Sequence, residues 1–273
     1  MSVEQKRSSS GTILEISGLS MDFGGIKALD HFDLSIRKGE IAALIGPNGA
    51  GKTTFFNCLT GMYQPTGGDL LLRRQDGKII RLNGLKPNRI TRQGLARTFQ
   101  NIRLFPTMTV LENVMIGRHC RTRATVLGAI LRGPAILKEE KEIVRFSYEL
   151  IEQIGLADKV NEFAGRLPYG DQRRLEIARA LATEPAVLLL DEPAAGMNPR
   201  ETRALDGLIC RIREEGISIL LIEHDMKLVM SLSDHIFVMD YGKKIAEGPP
   251  EEVRRNPEVI KAYLGEDITD AHA

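Results

Sequence analysis

The sequence predicts an α/β fold around a mostly parallel sheet, and two kinds of pattern lead to that prediction. Three short apolar runs, "IAALI" at 41–45, "AVLLL" at 186–190 and "ISILLI" at 217–222, have the length and composition of buried strands. Stretches with helical spacing lie between these runs. Strands that alternate with helices are typical of a parallel sheet, because each crossover connection places a helix on a face of the sheet.

The first part of the chain predicts further elements around the first buried run. Residues 13–23, "ILEISGLSMDF", alternate apolar and polar side chains, which indicates a partly exposed strand. A turn at 38–40 precedes the buried run, and residues 51–62 have helical spacing that stops at Gly61. The Asp-Gly pair at 76–77 lies between apolar stretches and predicts a hairpin.

The middle of the chain, from about Thr91 to Gly165, has a helical pattern and is predicted to be inserted into the sheet domain. Its second half is amphipathic and broken at Gly133-Pro134, and such helices most often face a core. Beyond the run at 186–190, residues 199–216 predict a helix, and residues 226–248 predict a helix followed by a hairpin.

The composition and patterning of the 273 residues disfavour several classes of protein. With 37 basic and 36 acidic residues, the net charge of +1 indicates no general affinity for nucleic acid. Three cysteines, far apart, argue against a disulfide framework and fit a reducing cytoplasm. No apolar run is long enough to span a bilayer, and the N-terminus lacks the apolar region of a signal peptide. We expect residues 1–11 to be a disordered tail.

Residues 46–54, "GPNGAGKTT", fit the pattern G-x-x-x-x-G-K-[ST] between a predicted strand and a predicted helix, which is the context that this phosphate-binding motif requires. The glycines let backbone N–H groups point at phosphate oxygens, and the helix N-terminus favours the same anion. Lys52 would bind the β- and γ-phosphates, and the Thr53 hydroxyl would bind Mg²⁺. The alternative, a chance glycine-rich turn, leaves the Lys-Thr ending unexplained. The predicted nucleotide-binding residues are Gly46, Pro47, Asn48, Gly49, Ala50, Gly51, Lys52, Thr53 and Thr54.

Two carboxylates, Asp191 and Glu192, directly follow the buried run at 186–190. In open α/β sheets, ligands bind outside the carboxyl ends of the strands. We expect Asp191 to hold the Mg²⁺ that bridges the β- and γ-oxygens, and Glu192 to orient or deprotonate the attacking water. Taken alone, the pair would be interpreted as an acidic helix N-cap, but a phosphate loop upstream favours the catalytic interpretation.

His224 closely follows the next buried run, which ends at Ile222. It should therefore lie on the same edge of the sheet, within reach of a γ-phosphate. Gln100, in "RTFQN", carries a neutral group that could coordinate Mg²⁺ or position water. A lone histidine or glutamine at such a place is more often incidental. Gln100 and His224 become candidate site residues only because of the order of the motifs around them.

Seven motifs in a fixed order resemble those of the ATP-binding cassette subunits of transporters, and the resemblance extends from about Ile13 to Gly265. They are an aromatic residue for adenine, the phosphate loop, a glutamine loop, a signature sequence, an acidic pair, a turn and a switch histidine. In this chain they stand at Phe23, 46–54, Gln100, 167–172, 191–192, 195–199 and His224. Within the family, "LPYGDQRRLEIARAL" and "LLLDEPAAGMNPRET" are similar to the branched-chain amino acid importer subgroup.

The resemblance implies a P-loop NTPase cassette with a mostly parallel core sheet, an antiparallel β subdomain and an inserted α-helical subdomain. The cassette would span residues 12–250, with the helical subdomain at about 98–165 gripping the membrane subunits. A C-terminal helical extension would follow at 251–273.

The resemblance also implies an ATPase that uses ATP and Mg²⁺. Each ATP would be held by the phosphate loop of one cassette and covered by the signature helix of the other, where Gly170 approaches the partner's nucleotide. The implied catalytic residues are Lys52, Gln100, Glu192 and His224. The implied magnesium ligands are Thr53, Gln100 and Asp191.

The partners that the resemblance implies are two integral membrane permease subunits, a second cassette and an extracytoplasmic substrate-binding protein reached through the permease. The second cassette would be either a copy of this chain or a related ATPase. Nucleic acid is not expected as a partner. The chain would lie peripherally on the cytoplasmic face of the plasma membrane.

The signature departs from the usual Leu-Ser-Gly-Gly-Gln at Pro168, Tyr169 and Asp171. Pro168 has neither a hydroxyl nor an N–H, so two donors are lost, whereas Gly170 and the dipole of a helix beginning at about Asp171 remain. In the turn at 195–199, Asn198 stands where an aspartate is usual, which keeps an acceptor but loses a charge.

Three alternatives remain open from the sequence. The cargo could be urea, a short amide or an exported lipid. Cassette ATPases that act on nucleic acid or in translation usually carry coiled coils, zinc modules or a second cassette, and this sequence shows none of these patterns. A scaffold that binds nucleotide without hydrolysing it is disfavoured by Glu192.

Overall fold

The computed structural model describes residues 11–74, 76–122 and 134–269, and in these ranges the strands form two sheets. The strands are β1 Thr12–Phe23, β2 Ile26–Arg37, β3 Ile41–Ile45, β4 Gly67–Arg73, β5 Ile79–Arg81, β6 Leu95–Arg97, β7 Val187–Asp191, β8 Ser218–Ile222, β9 His235–Asp240 and β10 Lys243–Gly248.

The α-helices of the same ranges lie between and after these strands. They are α1 Lys52–Leu59, α2 Pro87–Gln93, α3 Val110–Arg118, α4 Pro134–Gln153, α5 Tyr169–Leu181, α6 Pro199–Glu214, α7 Met226–Leu232, α8 Pro250–Arg254 and α9 Pro257–Thr269. Within the part of the chain that the structure describes, no helix combines the length and apolar character needed to cross a membrane.

The larger sheet has six strands in the order β10-β9-β3-β8-β7-β6. Every pair in it is parallel except β10 with β9. All residues of β3, β7 and β8 are buried, because helices or the second sheet cover both faces. The predicted mostly parallel α/β core is confirmed.

The smaller sheet is antiparallel, with the strand order β2-β1-β4-β5. Its apolar side packs with α1 on one face of the parallel sheet, and the Phe32 and Phe55 rings meet edge to face there at 5.1 Å. Alternate strand residues point to opposite faces. Leu188 of β7 therefore joins the core of the helical side, whereas Leu189 joins the core under the antiparallel sheet.

The helical interpretation of residues 91–165 is wrong at residues 95–109, where residues 95–97 form strand β6 and the next helix begins only at Val110. This strand pairs in parallel with residues 187–189 of β7 and makes the edge of the core sheet. Three residues are too few to show the alternation that distinguishes a strand from a helix. The predicted break at Gly133-Pro134 falls partly outside the described residues, and α4 begins at Pro134.

Helices α3 and α5 approach each other closely at Gly117. A Cβ atom added there would lie 2.2 Å from the Arg179 carbonyl oxygen and 3.0 Å from the Ala182 Cβ atom. Helix α3 begins at a capping box, in which Thr109 and Glu112 each bind the other's backbone N–H. This cap fixes where the helix starts, and glycine allows its backbone to rest directly on α5.

Candidate nucleotide-binding site

The predicted phosphate loop connects β3 to α1. Gly46, Gly49 and Gly51 all have positive φ angles of 155°, 78° and 111°. A Cβ atom at Gly46 would lie 2.0 Å from the Met239 carbonyl oxygen, and one at Gly51 would lie 2.6 Å from the Ala28 carbonyl oxygen. At Gly49 a Cβ atom would meet no heavy atom within 4 Å. Neighbouring strands therefore require two of these glycines, while a Cβ atom at Gly49 would point into open space.

Lys52 is the first residue of α1, and its ammonium lies over the loop. Its Nζ atom donates to the carbonyl oxygens of Gly46 at 2.5 Å and Pro47 at 2.8 Å. The side chain is buried, so water screens the charge of its ammonium group less than it would at the surface. Thr53, the next residue, is exposed at the start of the helix, where its hydroxyl can reach a ligand.

Glu192, Gln100 and His224 lie together at the carboxyl edge of the sheet. Asp191 pairs with Ile222 in the β7–β8 register, which brings the residues after both strands side by side. The Gln100 Nε2 atom donates to Glu192 Oε2 at 2.8 Å. The His224 Nε2 atom lies 2.8 Å from Glu192 Oε1. Each carboxylate oxygen of Glu192 therefore has a partner that fixes its direction.

The backbone at Glu192 is in the left-handed region, with a φ angle of 47°. A non-glycine residue adopts this conformation at a cost of order 1–3 kcal/mol, and such residues cluster at functional sites. With this backbone conformation, the Glu192 side chain binds Gln100 and His224. The side chain of the preceding residue, Asp191, binds Arg97 instead.

Asp191 is buried and forms an ion pair that sequence reasoning missed. Its Oδ2 atom lies 2.6 Å from Nη2 of Arg97, the last residue of β6. The Arg97 guanidinium also donates to Asn57 Oδ1 at 2.8 Å and lies over the rings of Phe56 and Phe99. The only sequence signal was an arginine two residues before "FQ", and a strand of three residues hid its position on the sheet edge.

The predicted magnesium ligands offer the hydroxyl of Thr53, the amide oxygen of Gln100 and the carboxylate of Asp191. Oxygen donors of this kind are what Mg²⁺ prefers. Arg97 binds Oδ2 of Asp191, which leaves Oδ1 for a metal. Gln100 directs its amide nitrogen to Glu192, which leaves its amide oxygen to coordinate. The donor set therefore fits Mg²⁺.

Glu223 is a second buried carboxylate that sequence reasoning did not single out. It accepts hydrogen bonds from the backbone N–H groups of Ala194 at 2.7 Å and His224 at 3.2 Å. Burial raises the pKa of Glu223, although these hydrogen bonds act in the opposite direction. Its role is to tie the backbone before His224 to the turn that follows Glu192.

Phe23, the residue predicted to stack on adenine, ends β1 with 44% of its surface exposed. Its ring meets the ring of Tyr63 edge to face, with centroids 5.4 Å apart. Because nearly half of the Phe23 surface is exposed, the ring is accessible to a flat ligand.

The signature helix α5 begins at Tyr169 rather than at about Asp171, and Pro168 is its N-cap. The helix starts two residues before the predicted position, and the fixed φ of Pro168 suits this place at the edge of a helix. The Pro168 carbonyl accepts from the N–H groups of Asp171 and Gln172 at 3.0 Å. Tyr169 therefore belongs to the first turn of α5.

The side chain of Asp171 is buried rather than exposed at the start of this helix. Its carboxylate oxygens lie 2.5 Å from Lys159 and 2.5 Å from Arg174. Burial would raise the pKa of Asp171, but the hydrogen bonds from these two cations outweigh it and lower the pKa. Asp171 thus anchors α5 to Lys159 in the helical block, the segment of about residues 98–165.

Gly170 is buried, and a Cβ atom there would lie 2.8 Å from Glu201 Oε1. Glu201 belongs to the capping box of α6, in which Asn198 Oδ1 accepts from the N–H groups of Arg200 and Glu201. Within this chain, a Cβ atom at position 170 would therefore require the Glu201 side chain to shift. Asn198 supplies the acceptor that the sequence predicted.

Comparisons with known proteins show which family this chain belongs to. Residues 29–195 match the family "ABC transporter", and residues 243–269 match "Branched-chain amino acid ATP-binding cassette transporter". The high-affinity branched-chain amino acid transport ATP-binding proteins BraF of Pseudomonas aeruginosa and LivG of Escherichia coli are 51% and 50% identical to this chain over 255 residues. Each alignment covers 93% of this chain and 98% of the relative.

Solved cassettes of ABC transporters have the same fold. A cassette in its ADP conformation shares 33% identity with a TM-score of 0.80, covering 94% of this chain and all of that one. A nucleotide-free cassette shares 32% identity with a TM-score of 0.79, covering 92% of this chain and 98% of that one.

The chain belongs to the ABC transporter family and is one of its ATP-binding, ATP-hydrolysing cassettes. BraF and LivG, the two relatives named above, are high-affinity branched-chain amino acid transport ATP-binding proteins.

Proposed function

We propose that this cassette hydrolyses ATP to power the import of branched-chain amino acids. The observation that carries the hydrolytic part is the Glu192 carboxylate, held at 2.8 Å by both Gln100 and His224 beside the phosphate loop. The cargo is supported by the identity of 50–51% to branched-chain amino acid transport proteins and by the family match at 243–269.

Each side chain of the site has a distinct task in this reaction. Lys52 exchanges the loop carbonyls for the β- and γ-phosphates and neutralises their charge. Glu192 accepts a proton from the attacking water, while Gln100 and His224 hold its carboxylate in one orientation. Bound Mg²⁺, held by Thr53, Gln100 and Asp191, would supply positive charge between the phosphates.

The same proposal gives the chain its partners and its place in the cell. It works as a pair of cassettes, with a copy of itself or a related ATPase, on the cytoplasmic face of two membrane permease subunits. An extracytoplasmic binding protein delivers the amino acid to those subunits. Pairing lets Gly170 and the N-terminus of α5 face the partner's nucleotide, where the helix dipole favours an anion.

An exposed apolar patch in the helical block suits the permease. Phe105, Met108 and Phe163 are 36–44% exposed. They lie close together, because residues 109 and 163 form a β-bridge and the Ala164 N–H donates to the Met108 carbonyl. Exposed apolar residues grouped in this way mark interaction sites.

Replacing both Phe105 and Phe163 by serine is expected to reduce co-purification with the permease subunits at least about tenfold, since two anchor side chains are lost. Binding of a fluorescent ATP analogue to the cassette should not change. Tyr241→Ser removes an aromatic ring that is 84% exposed elsewhere and serves as the matched control. Retained co-purification of the double variant would contradict the docking surface.

Reconstitution with the permease subunits and the binding protein tests the cargo. Leucine, isoleucine or valine is expected to raise ATP hydrolysis severalfold over the rate without substrate, because a loaded binding protein shifts the transporter towards the state in which the cassettes are closed. Stimulation by urea or a short amide instead would support the alternative cargo. Tight, salt-sensitive DNA binding with no stimulation by any amino acid would support the nucleic-acid class.

A further inference from the structure

Three charged residues on one face of α5 belong to none of the seven motifs. Arg173, Glu176 and Arg179 are spaced three apart, so they follow one another along the same side of the helix. The side chains of Arg173 and Glu176 are 0% and 1% exposed and pair at 3.0 Å. Two full charges buried this deeply require several hydrogen bonds to compensate their lost hydration.

The partners that compensate these charges are backbone groups of the loop that carries Gln100. Arg173 donates from Nη1 to the Phe99 carbonyl at 2.6 Å and from Nη2 to the Gln100 carbonyl at 2.7 Å. Glu176 Oε1 accepts from the N–H groups of Phe99 at 3.4 Å and Arg103 at 3.3 Å. The loop from Phe99 to Arg103 is therefore bound at both ends to two side chains of α5.

The same guanidinium also reaches the first turn of α5. Arg173 Nη2 donates to the Tyr169 hydroxyl at 3.1 Å, and the guanidinium lies 5.8 Å from the centre of the Tyr169 ring. Tyr169 precedes Gly170 at the helix end that faces the partner's nucleotide in the proposed pair. Arg173 thus connects this end of the helix with the backbone of Gln100, whose amide holds Glu192.

We propose that Arg173 and Glu176 are positioning residues that couple the two nucleotide sites of a cassette pair. When the N-terminus of α5 closes on the partner's ATP, the glutamine loop moves with the helix and sets Gln100 against Glu192 of its own chain. Each site then hydrolyses fastest when the other is occupied. This inference rests on the proposed function, because it concerns ATP turnover by paired cassettes.

Arginine suits this task and lysine does not. The planar guanidinium presents its donors in a fixed fork, and here it reaches two carbonyls, a carboxylate and a hydroxyl. A lysine ammonium is a point charge with three donors on a flexible stem. An Arg173→Lys variant keeps the charge but cannot hold the loop and the tyrosine together.

The test is the ATP dependence of hydrolysis by the full chain with its partner cassette. The wild type is expected to show a Hill coefficient above about 1.5, and Arg173→Lys is expected to lower it to about 1. The dissociation constant for a fluorescent ATP analogue should stay within about twofold of the wild type. Arg174→Lys is the matched control, because Arg174 adjoins Arg173 but binds Asp171 and the Ile154 carbonyl instead.

Glu176→Gln is the second variant, in case Arg173→Lys does not fold, as judged by thermal unfolding. It keeps an oxygen acceptor for the loop but removes the charge pair, and it should lower the Hill coefficient in the same direction. A wild-type Hill coefficient of 1, or an unchanged coefficient in a folded variant, would overturn the coupling. A wild type that binds ATP but does not hydrolyse it would overturn the proposed function itself.

Discussion

Replacing Glu192 by glutamine is expected to lower the rate of ATP hydrolysis by about 10²–10⁴-fold, the usual contribution of a positioned base. The carboxylate is held at 2.8 Å by Gln100 and at 2.8 Å by His224. Glutamine has nearly the same shape, so the loop conformation with φ of 47° should persist. ATP would still bind and close the cassette pair, and the pair should stay closed because the γ-phosphate is not removed.

Single-turnover hydrolysis and size-exclusion chromatography with ATP measure both effects. Glu214→Gln, an exposed change at the end of α6, is the matched control and should retain wild-type turnover and a nucleotide-dependent equilibrium. Unchanged turnover in Glu192→Gln would remove Glu192 from the role of base. Loss of ATP binding in that variant would mean that the carboxylate stabilises the loop instead.

Replacing Arg97 by methionine is expected to lower the free energy of unfolding by about 3–5 kcal/mol, because it leaves the Asp191 carboxylate buried without its partner. The two side chains are 7% and 6% exposed and only 2.6 Å apart. Methionine occupies similar space among Phe56 and Phe99, so the loss would come from the charge rather than from a cavity.

Urea unfolding at neutral pH measures the difference. Arg213→Met removes an arginine that pairs with Asp234 at 3.2 Å, but these side chains are 36% and 45% exposed. Exposed pairs contribute about 0–1 kcal/mol, so this control should stay close to the wild type. Equal effects of the two substitutions would show that burial of the Asp191 pair is not what stabilises the fold.

The parallel core could be predicted because its strands are buried on both faces, which leaves continuous apolar runs such as Ile41–Ile45. Strand β6 could not, since an edge strand of three residues carries no period. Its place in the sheet comes from pairing with Val187–Leu189, which are 92 residues further along the chain. Helix α5 starts at Tyr169, two residues before the predicted position, with Pro168 as its N-cap.

Glu192 and His224 could be placed at one edge of the sheet because each follows a predicted strand, whereas Gln100 was indicated only by the order of the motifs. Arg97 and Arg173 gave no such signal, because they act through contacts with distant segments. Arginine is common on exposed helix faces, so "QRRLEIAR" does not show which arginine is buried. Only the packing of α5 against the glutamine loop distinguishes Arg173, which is fully buried, from Arg174.

The close contact between α3 and α5 at Gly117 determines how a movement of one helix affects the other. At Gly117 no layer of side chains separates the two backbones, since even a methyl group would lie 2.2 Å from the Arg179 carbonyl. Close-packed protein interiors compress little and transmit strain. A displacement of α3 would therefore displace α5 as well. Helix α5 would in turn displace the loop from Phe99 to Arg103, which Arg173 and Glu176 bind.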